Sequence, residues 1–417
     1  MISAQQMKAK MPEGWDIASL CEVVDINPES RDPTQNPIEK FSYIDIDAVE
    51  NGSGKIGIVK VLSGKDAPSR ARRVVRTDDV IMSEVRPYLK AFALVPKKLN
   101  NQICSTGFAV LRSKGTVDPK YLLNTLFLNE VIDQCNRMMV GAQYPALNDS
   151  QVKKIQIQIP PLPEQRHIAS ILTTVDDAIQ RSQQAAAETE RLKAGVMHEL
   201  MTKGIGHTEF REDPIFGRVP KEWAVKKLGE ISDIVSGGTP SRTEKKFWNG
   251  NIPWIKTGEI NYNIINSTEE KITQAGLENS AARIIPKGTL LMALYGQGVT
   301  RGRVAITGIE ATINQACAAI MFKENVYMKF IFYFLSGQYE SMRSLSGGSN
   351  QNNLNIPLIK SVPLSIPPLA EQQQIATILS TIDRKLTLQR QRTVHYERLK
   401  QGLMNELLTG KRRVMVT

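Results

Sequence analysis

A stretch of some forty residues occurs twice in this chain, at a fixed offset of 207, and no fold is acceptable that does not account for it. The first copy runs from Ile159 as I-P-P-L-P-E-Q-R-H-I-A-S-I-L and closes as E-R-L-K-A-G-V-M-H-E-L-M-T. The second opens at Ile366 as I-P-P-L-A-E-Q-Q-Q-I-A-T-I-L and closes as E-R-L-K-Q-G-L-M-N-E-L-L-T. Between Pro160–Thr202 and Pro367–Thr409, 21 of 43 positions are identical without a gap. A Pro-Pro pair cannot lie inside a helix but tolerates its first turn, and Glu164 and Glu371 follow at the positive end of the helix dipole. Each copy therefore predicts one long helix with a sharp start.

Apolar residues recur in these helices at alternating spacings of four and three. They are Ile168, Leu172, Val175, Ile179, Leu192, Val196 and Leu200 in the first copy, and Ile375, Leu379, Ile382, Leu386, Leu399, Leu403 and Leu407 in the second. That spacing is a coiled-coil seam. Forty residues span roughly 60 Å, several times the length of an ordinary core helix of about 11–12 residues. The obvious partner for each rod is the other copy, paired antiparallel about a pseudo-twofold near Gln184 and Gln391.

Removing the helices leaves two further units that are distant copies of each other. P-E-G-W-D-I-A-S-L-C-E-V around Trp15, Leu20 and Glu22 returns as P-K-E-W-A-V-K-K-L-G-E-I around Trp223, Leu228 and Glu230. G-A-Q-Y-P-A-L-N, before Lys153, returns as G-S-N-Q-N-N-L-N, before Lys360. Inside each unit short β-rich runs (57–62, 80–83, 91–96 and 108–111; 252–256, 290–293, 304–307 and 316–322) alternate with Gly, Pro, Asn and Asp, and helices are expected over 119–137 and 328–345. The fold class is α+β: two mixed α/β domains separated by two long helices that form an antiparallel coiled coil. The divisions fall at 1–158, 159–204, 205–365 (opening with a linker to Pro220), 366–411 and a basic tail 412–417.

Composition narrows the function. Net charge is +11, which points to nucleic acid or another acidic partner; the excess lies in the two domains and at Lys411, Arg412 and Arg413, a cluster expected to be a solvated tail. Four scattered cysteines, with no C-x-x-C, argue against structural zinc and for a reducing, cytoplasmic setting. No apolar run reaches the roughly 18 residues of a membrane span. His167, His198, His207 and His395 lie on or just beyond the rods, where solvated helix faces are expected. G-Q-G-V-T-R-G at Gly296–Gly302 lacks the lysine of a phosphate loop, and no N-P-P-Y-type or glycine-rich cofactor loop of an adenine methyltransferase is present.

The repeated I-P-P-L-x-E-Q helices, the linker F-R-E-D-P-I-F-G-R-V-P-K-E-W and S-G-G-T-P-S-R at Ser236–Arg242 resemble the specificity subunit of type I restriction–modification systems, over almost the whole chain. The resemblance implies two target-recognition domains, each reading half of a bipartite double-stranded DNA site and held apart by the paired helices. Its implied partners are two modification subunits carrying the methyltransferase chemistry and restriction subunits with nuclease and motor domains. The chain itself would be non-catalytic and bind no cofactor, with S-adenosylmethionine, ATP and magnesium on the partners. Rival readings are a self-contained DNA-modifying enzyme, disfavoured by the missing motifs, and a coiled-coil adaptor without DNA contact, disfavoured by the basic domains.

Candidate DNA contacts follow from side-chain chemistry, since guanidinium and amide groups suit both phosphate and base edges. In the first domain they are Arg70, Arg72, Arg73, Arg76, Arg86, Tyr88 and Lys90, with Asp78, Asp79 and Glu84 close enough to pair with them instead. In the second, Ser236, Gly237, Gly238, Thr239, Ser241 and Arg242 offer small residues and backbone N–H groups, and Lys245, Tyr295, Gln297, Thr300, Arg301 and Arg303 add charge and polarity. Trp248 and Trp254 are expected to pack in the core.

Overall fold

The computed structural model describes residues 12–141, 145–296, 299–344 and 353–414. The chain divides into two compact units: unit 1 comprises Met1–Gln183 with Gln391–Thr417, and unit 2 comprises Gln184–Arg390. The boundary thus runs through the middle of both long helices, and each unit takes one domain and half of each rod.

Unit 1 contains strands β1 (Asp16–Ser19), β2 (Val24–Ile26), β3 (Lys40–Ile44), β4 (Lys60–Ser63), β5 (Ala71–Val75), β6 (Val80–Ser83), β7 (Phe92–Leu94), β8 (Gln102–Ser105), β9 (Phe108–Ser113) and β10 (Gln156–Ile159). They form two four-stranded sheets, β2-β9-β6-β7 and β4-β3-β8-β5, and the ribbon β1-β10. Strand β6 is buried on both faces, which is why V-I-M-S reads as a continuous apolar run rather than an alternating one. Val80 and Met82 meet the helices, while Ile81 packs with Ile44, Val75 and Cys104 between the sheets. Alternate side chains of one strand therefore fill two separate cores.

Unit 2 repeats the plan. Its strands are β11 (Phe210–Asp213), β12 (Gly217–Pro220), β13 (Ala224–Lys227), β14 (Ser232–Ser236), β15 (Trp248–Ile255), β16 (Ile264–Ile265), β17 (Glu270–Ile272), β18 (Ile284–Ile285), β19 (Leu290–Ala293), β20 (Val304–Thr307), β21 (Ala311–Ile313), β22 (Cys317–Phe322) and β23 (Pro363–Ile366). The sheets β14-β22-β19-β20-β16 and β17-β15-β21-β18, with the ribbon β13-β23, match unit 1 strand for strand apart from the added β16. Even the parallel pair is kept, β3 with β8 in one unit and β15 with β21 in the other. The expected linker contains the hairpin β11-β12, closed by Arg218 stacked 4.5 Å over Phe210.

Two expected helices are each broken. Helix 119–126 stops before helix 129–138 because extended Leu128 turns Phe127 and Leu128 into the core, and Lys90 Nζ bonds the freed Phe127 carbonyl at 3.0 Å. The second divides into 328–337 and 339–344, within the described residues. The strand expected from Gly57 begins only at Lys60.

The long helices run Leu162–Thr202 and Leu369–Leu407, each starting on the residue after Pro-Pro. Within unit 1 the half-rods are joined by Asp176 with Lys400 (2.7 Å) and Ser182 with Thr393 (2.9 Å). Within unit 2 Lys193 pairs with Asp383 (2.5 Å) and Glu190 with Arg390. Numbers rise in one helix as they fall in the other, so the pairing is antiparallel. The two Lys–Asp bridges are the same contact at the repeat offset.

Ile168, Leu172, Val175, Ile375, Leu379, Leu386 and Leu407 are buried, and Ile179, Val196, Leu200, Ile382 and Leu403 are partly so. Leu192 and Leu399, assigned to the seam from sequence, instead point outward, 55% and 43% exposed. A helix of 3.6 residues per turn drifts off a 3.5-residue repeat, and across the polar middle (Ser182, Thr189) nothing resets it. Lys193 and Lys400 take the inward place one residue on.

Two expectations about charge are also corrected. His207 is not on a solvated face: its Nε2 lies 3.0 Å from both carboxylate oxygens of Glu371. Arg413, expected in a solvated tail, is exposed but anchored. It forms a two-pronged ion pair with Glu164 (3.0 and 2.8 Å) and bonds the Glu13 carbonyl.

Candidate nucleic-acid interface

The repeated residues turn out to be joints. Trp15 Nε1 donates to Glu164, and Trp223 Nε1 to Glu371, fixing the opening of each domain to the first turn of the helix that follows it. Gln165 accepts from the Asp118 N–H and donates to the Thr116 and Pro160 carbonyls; Gln372 does the same with Tyr327, Asn325 and Pro367. Both glutamines are buried, so their amides have to find protein partners. Asn148 and Asn355 cap the short helices 149–152 and 356–360.

Their neighbours Leu147 and Leu354 pin a loop. The Leu147 N–H bonds the Glu84 carbonyl (2.9 Å) while the Glu84 N–H bonds Gly107 (2.8 Å); the Leu354 N–H bonds the Leu294 carbonyl (3.0 Å) while the Leu294 N–H bonds Ala316 (2.8 Å). Glu84 begins the β6–β7 loop and Leu294 the β19–β20 loop, the same topological position in each unit. Arg86, Tyr88 and Lys90 lie on the first loop, and Tyr295, Thr300, Arg301 and Arg303 on the second. Gln297 falls outside the described residues.

In unit 1 the arginines of β5 and its flanks have unlike environments. Arg70 is exposed. Arg72 pairs with Asp32 at 3.4 Å. Arg73 is turned inward, bonded to Glu84 (2.9 Å), Asp149 (3.2 Å) and the Phe108 carbonyl. Arg76 and Arg112 share Glu29, and Arg112 also forks onto buried Asp79. Hydrogen bonds from Arg76 and Arg112 hold the Glu29 carboxyl down at about 2. Burial pushes Glu84 up from 4.5 to about 7, with Arg73 opposing and a shared hydrogen bond to Asp149 assisting.

In unit 2 the S-G-G-T-P-S-R stretch leads from β14 to β15. Its glycines are required by packing, because a Cβ on Gly237 would collide with the Ile313 carbonyl and one on Gly238 with the Ala281–Ala282 peptide. Their N–H groups are not free, being bonded to Cys317 and Ile313. Thr239 bonds Gln315, and Ser236 and Ser241 are exposed. Arg242 bonds Glu270 at 2.7 Å and stacks 3.8 Å over Trp248, whose Nε1 bonds the Ser241 carbonyl. Trp254 is buried and its Nε1 donates to Gly238. Lys245 is exposed. Arg303 reaches Asn261 at 2.8 Å, and the Tyr339 hydroxyl holds the Val299 carbonyl. Among the described residues no cluster of His, Cys, Asp and Glu could hold a metal ion, and no helix is long and apolar enough to cross a membrane.

Two three-layer domains on one plan, each fastened to the start of a long helix and differing in their polar loops, define a two-headed recognition protein. A family model described as type I restriction modification DNA specificity domain matches residues 12–191 and 220–396, and the chain belongs to that family. It is similar to the type I restriction enzyme MjaVIII specificity subunit of Methanocaldococcus jannaschii, 28% identical over 323 residues that cover 75% of each chain. It also resembles a solved chain from work on complex assembly and conformational transition of the type I R-M system, with TM-score 0.63, 26% identity and coverage of 97% of this chain and 100% of that one. The type I S subunit from M. genitalium shares the fold at 13% identity, with TM-score 0.59 and 98% of each chain covered. The chain is accordingly a specificity subunit, the non-catalytic component that recognises the DNA target and assembles the complex.

Proposed function

We propose that each unit reads one half of a bipartite double-stranded DNA target, and that the chain works in the cytoplasm with methyltransferase (modification) subunits and restriction subunits. S-adenosylmethionine, ATP and magnesium belong to those partners in this reading. The observation that carries it is the strand-for-strand correspondence of the two frames, apart from the added β16, beneath unlike polar loops. A frame kept twice with different surfaces is what reading two different half-sites requires. Exposed Arg70 and Lys245, with the basic loops at Arg86 and Arg301, supply the attraction to phosphate, and Tyr88, Tyr295 and Thr300 supply groups for base edges. Incubating the chain with labelled S-adenosylmethionine and DNA, alone and with its modification subunits, tests the reading. Methyl transfer only in the complex, with DNA retention that falls steeply as salt rises, is the expected result. Transfer by the isolated chain would make it a self-contained enzyme, and no retention in any assembly would make it an adaptor.

A further inference from the structure

We infer that the β6–β7 loop of unit 1 is a base-reading element, acting through Tyr88 and Leu89. This rests on the two-reader function proposed above and adds which residues read. A reading element has to be fixed at its stem, so that binding orders nothing further, and variable at its tip. This loop and its counterpart in unit 2, the β19–β20 loop, have both properties. Each stem is held by the same two backbone hydrogen bonds, at Glu84 and at Leu294, and one partner in each case is the repeated leucine, Leu147 or Leu354. Each loop also enters and leaves through a positive φ, at Arg86 (49°) and Lys90 (57°) in unit 1 and at Gly296 (146°) and Gly302 (86°) in unit 2.

Arg86 and Lys90 are the telling pair. Left-handed backbone is uncommon outside glycine and persists where surrounding structure enforces it. Here it brackets Pro87, and the turn carries Tyr88 and Leu89 outward, 43% and 44% exposed. Two large side chains held in water at the tip of a pinned loop do nothing for the core. An aromatic ring suits stacking on a base, and an aliphatic one suits the thymine methyl or a wedge between base steps. The corresponding unit 2 loop has the same stem, and among its described residues Tyr295 and Val299 are 41% and 59% exposed. Its backbone is braced by Tyr339, itself bonded to Arg343 at 2.7 Å. The S-G-G-T-P-S-R stretch lacks this character, since its glycines are locked into packing and Arg242 is held by Glu270 and Trp248.

The test uses the full chain assembled with its modification subunits, and DNA carrying the target identified from the methylated bases of a host with this system. Competitor duplexes have one half-site or the other scrambled. For the Tyr88→Ala/Leu89→Ala chain we expect discrimination at one half-site to fall about tenfold or more, discrimination at the other to stay within about twofold, and the salt slope to be unchanged. Leu89→Gln gives the same readout if the double variant is unstable. Full discrimination by these variants at both half-sites overturns the assignment and leaves the two-reader function standing. Loss at both half-sites from a change in one loop overturns the two-reader function itself.

Discussion

The indole Nε1 of Trp223 donates to Glu371 Oε2 at 3.1 Å, joining residues 148 positions apart, and His207 closes on the same carboxylate from the end of the first rod. One acidic side chain thereby holds the opening of a domain, the start of its helix and the chain that arrives from the previous helix. In unit 1 Glu164 has the same office, with Trp15 and Arg413 as its partners. Hydrogen bonds to a charged group contribute about 1.5–3 kcal/mol each. Glu371→Ala should therefore lower the unfolding free energy by about that amount or more, and Glu164→Ala likewise, read from urea midpoints; a change under 0.5 kcal/mol (about one typical surface substitution) would deny the joint its role.

Stability should also depend on pH through Glu84. Its folded pKa, about 7, lies above the ordinary 4.5, so its contribution is fully present below pH 4.5 and is lost as pH rises through 7. The shift corresponds to at most about 3 kcal/mol. Wild type should lose stability relative to Glu84→Gln between pH 5 and 8, measured by urea unfolding at fixed ionic strength. Glu29, held at about 2, works in the opposite sense: its contribution is present above 4.5 and is lost as pH falls toward 2. Parallel curves for wild type and Glu84→Gln across the neutral range would place the Glu84 proton elsewhere.

Arg70 and Arg73, three residues apart, should behave as different kinds of residue. Arg70→Ala removes an exposed cation and should reduce the salt slope of DNA binding by up to about one while leaving the melting temperature alone. Arg73→Ala leaves Glu84 and Asp149 without their cation and should cost about 3–5 kcal/mol of stability. Equal effects of the two on melting would contradict the inward placement of Arg73.

The rods offer a sharper comparison. Leu379 is fully buried and Leu192 is 55% exposed, so Leu379→Ala should cost about 2–5 kcal/mol whereas Leu192→Gln and Leu399→Gln should be nearly neutral for folding. Thermal unfolding of the three variants separates them, and a large loss from Leu192→Gln in the isolated chain would return that residue to the seam.

Exchange of residues 1–150 for the matching segment of a relative should change one half of the recognised site and preserve the other. Mapping methylated bases in cells carrying the hybrid reads this directly. A change in both halves would show that the units do not read independently.

The duplication made much of the architecture readable before any coordinates: two frames, two long helices, their starts after Pro-Pro, and the equivalence of Trp15 with Trp223. These features depend on local chemistry or on the chain resembling itself. What escaped depends on distant groups. Arg73 looks like a DNA contact because Asp149, 76 residues away, is not visible beside it. Gly237 and Gly238 look like an open turn because the groups that forbid a side chain there, β21 for the first and the Ala281–Ala282 peptide for the second, come much later in the chain. The two pinned loops do not align by sequence because the second is longer by two residues, and the backbone bonds from Leu147 and Leu354 reveal the correspondence. Leu192 falls outside the seam because apolar spacing does not keep its phase across a polar middle.

The separation of stem from tip has an evolutionary consequence. Bonds that fix each loop are made by backbone groups and by residues the two copies share, while Tyr88 and Leu89 contribute little to the folded state. On the reading inferred above for the β6–β7 loop, mutations at the tip change the target along a nearly neutral path, without passing through poorly folded ancestors. Changes at Trp15, Glu164 or Gln165 are eliminated by selection on folding before any altered preference can be tried. Diversification is steered toward the few positions where it changes meaning and spares the scaffold.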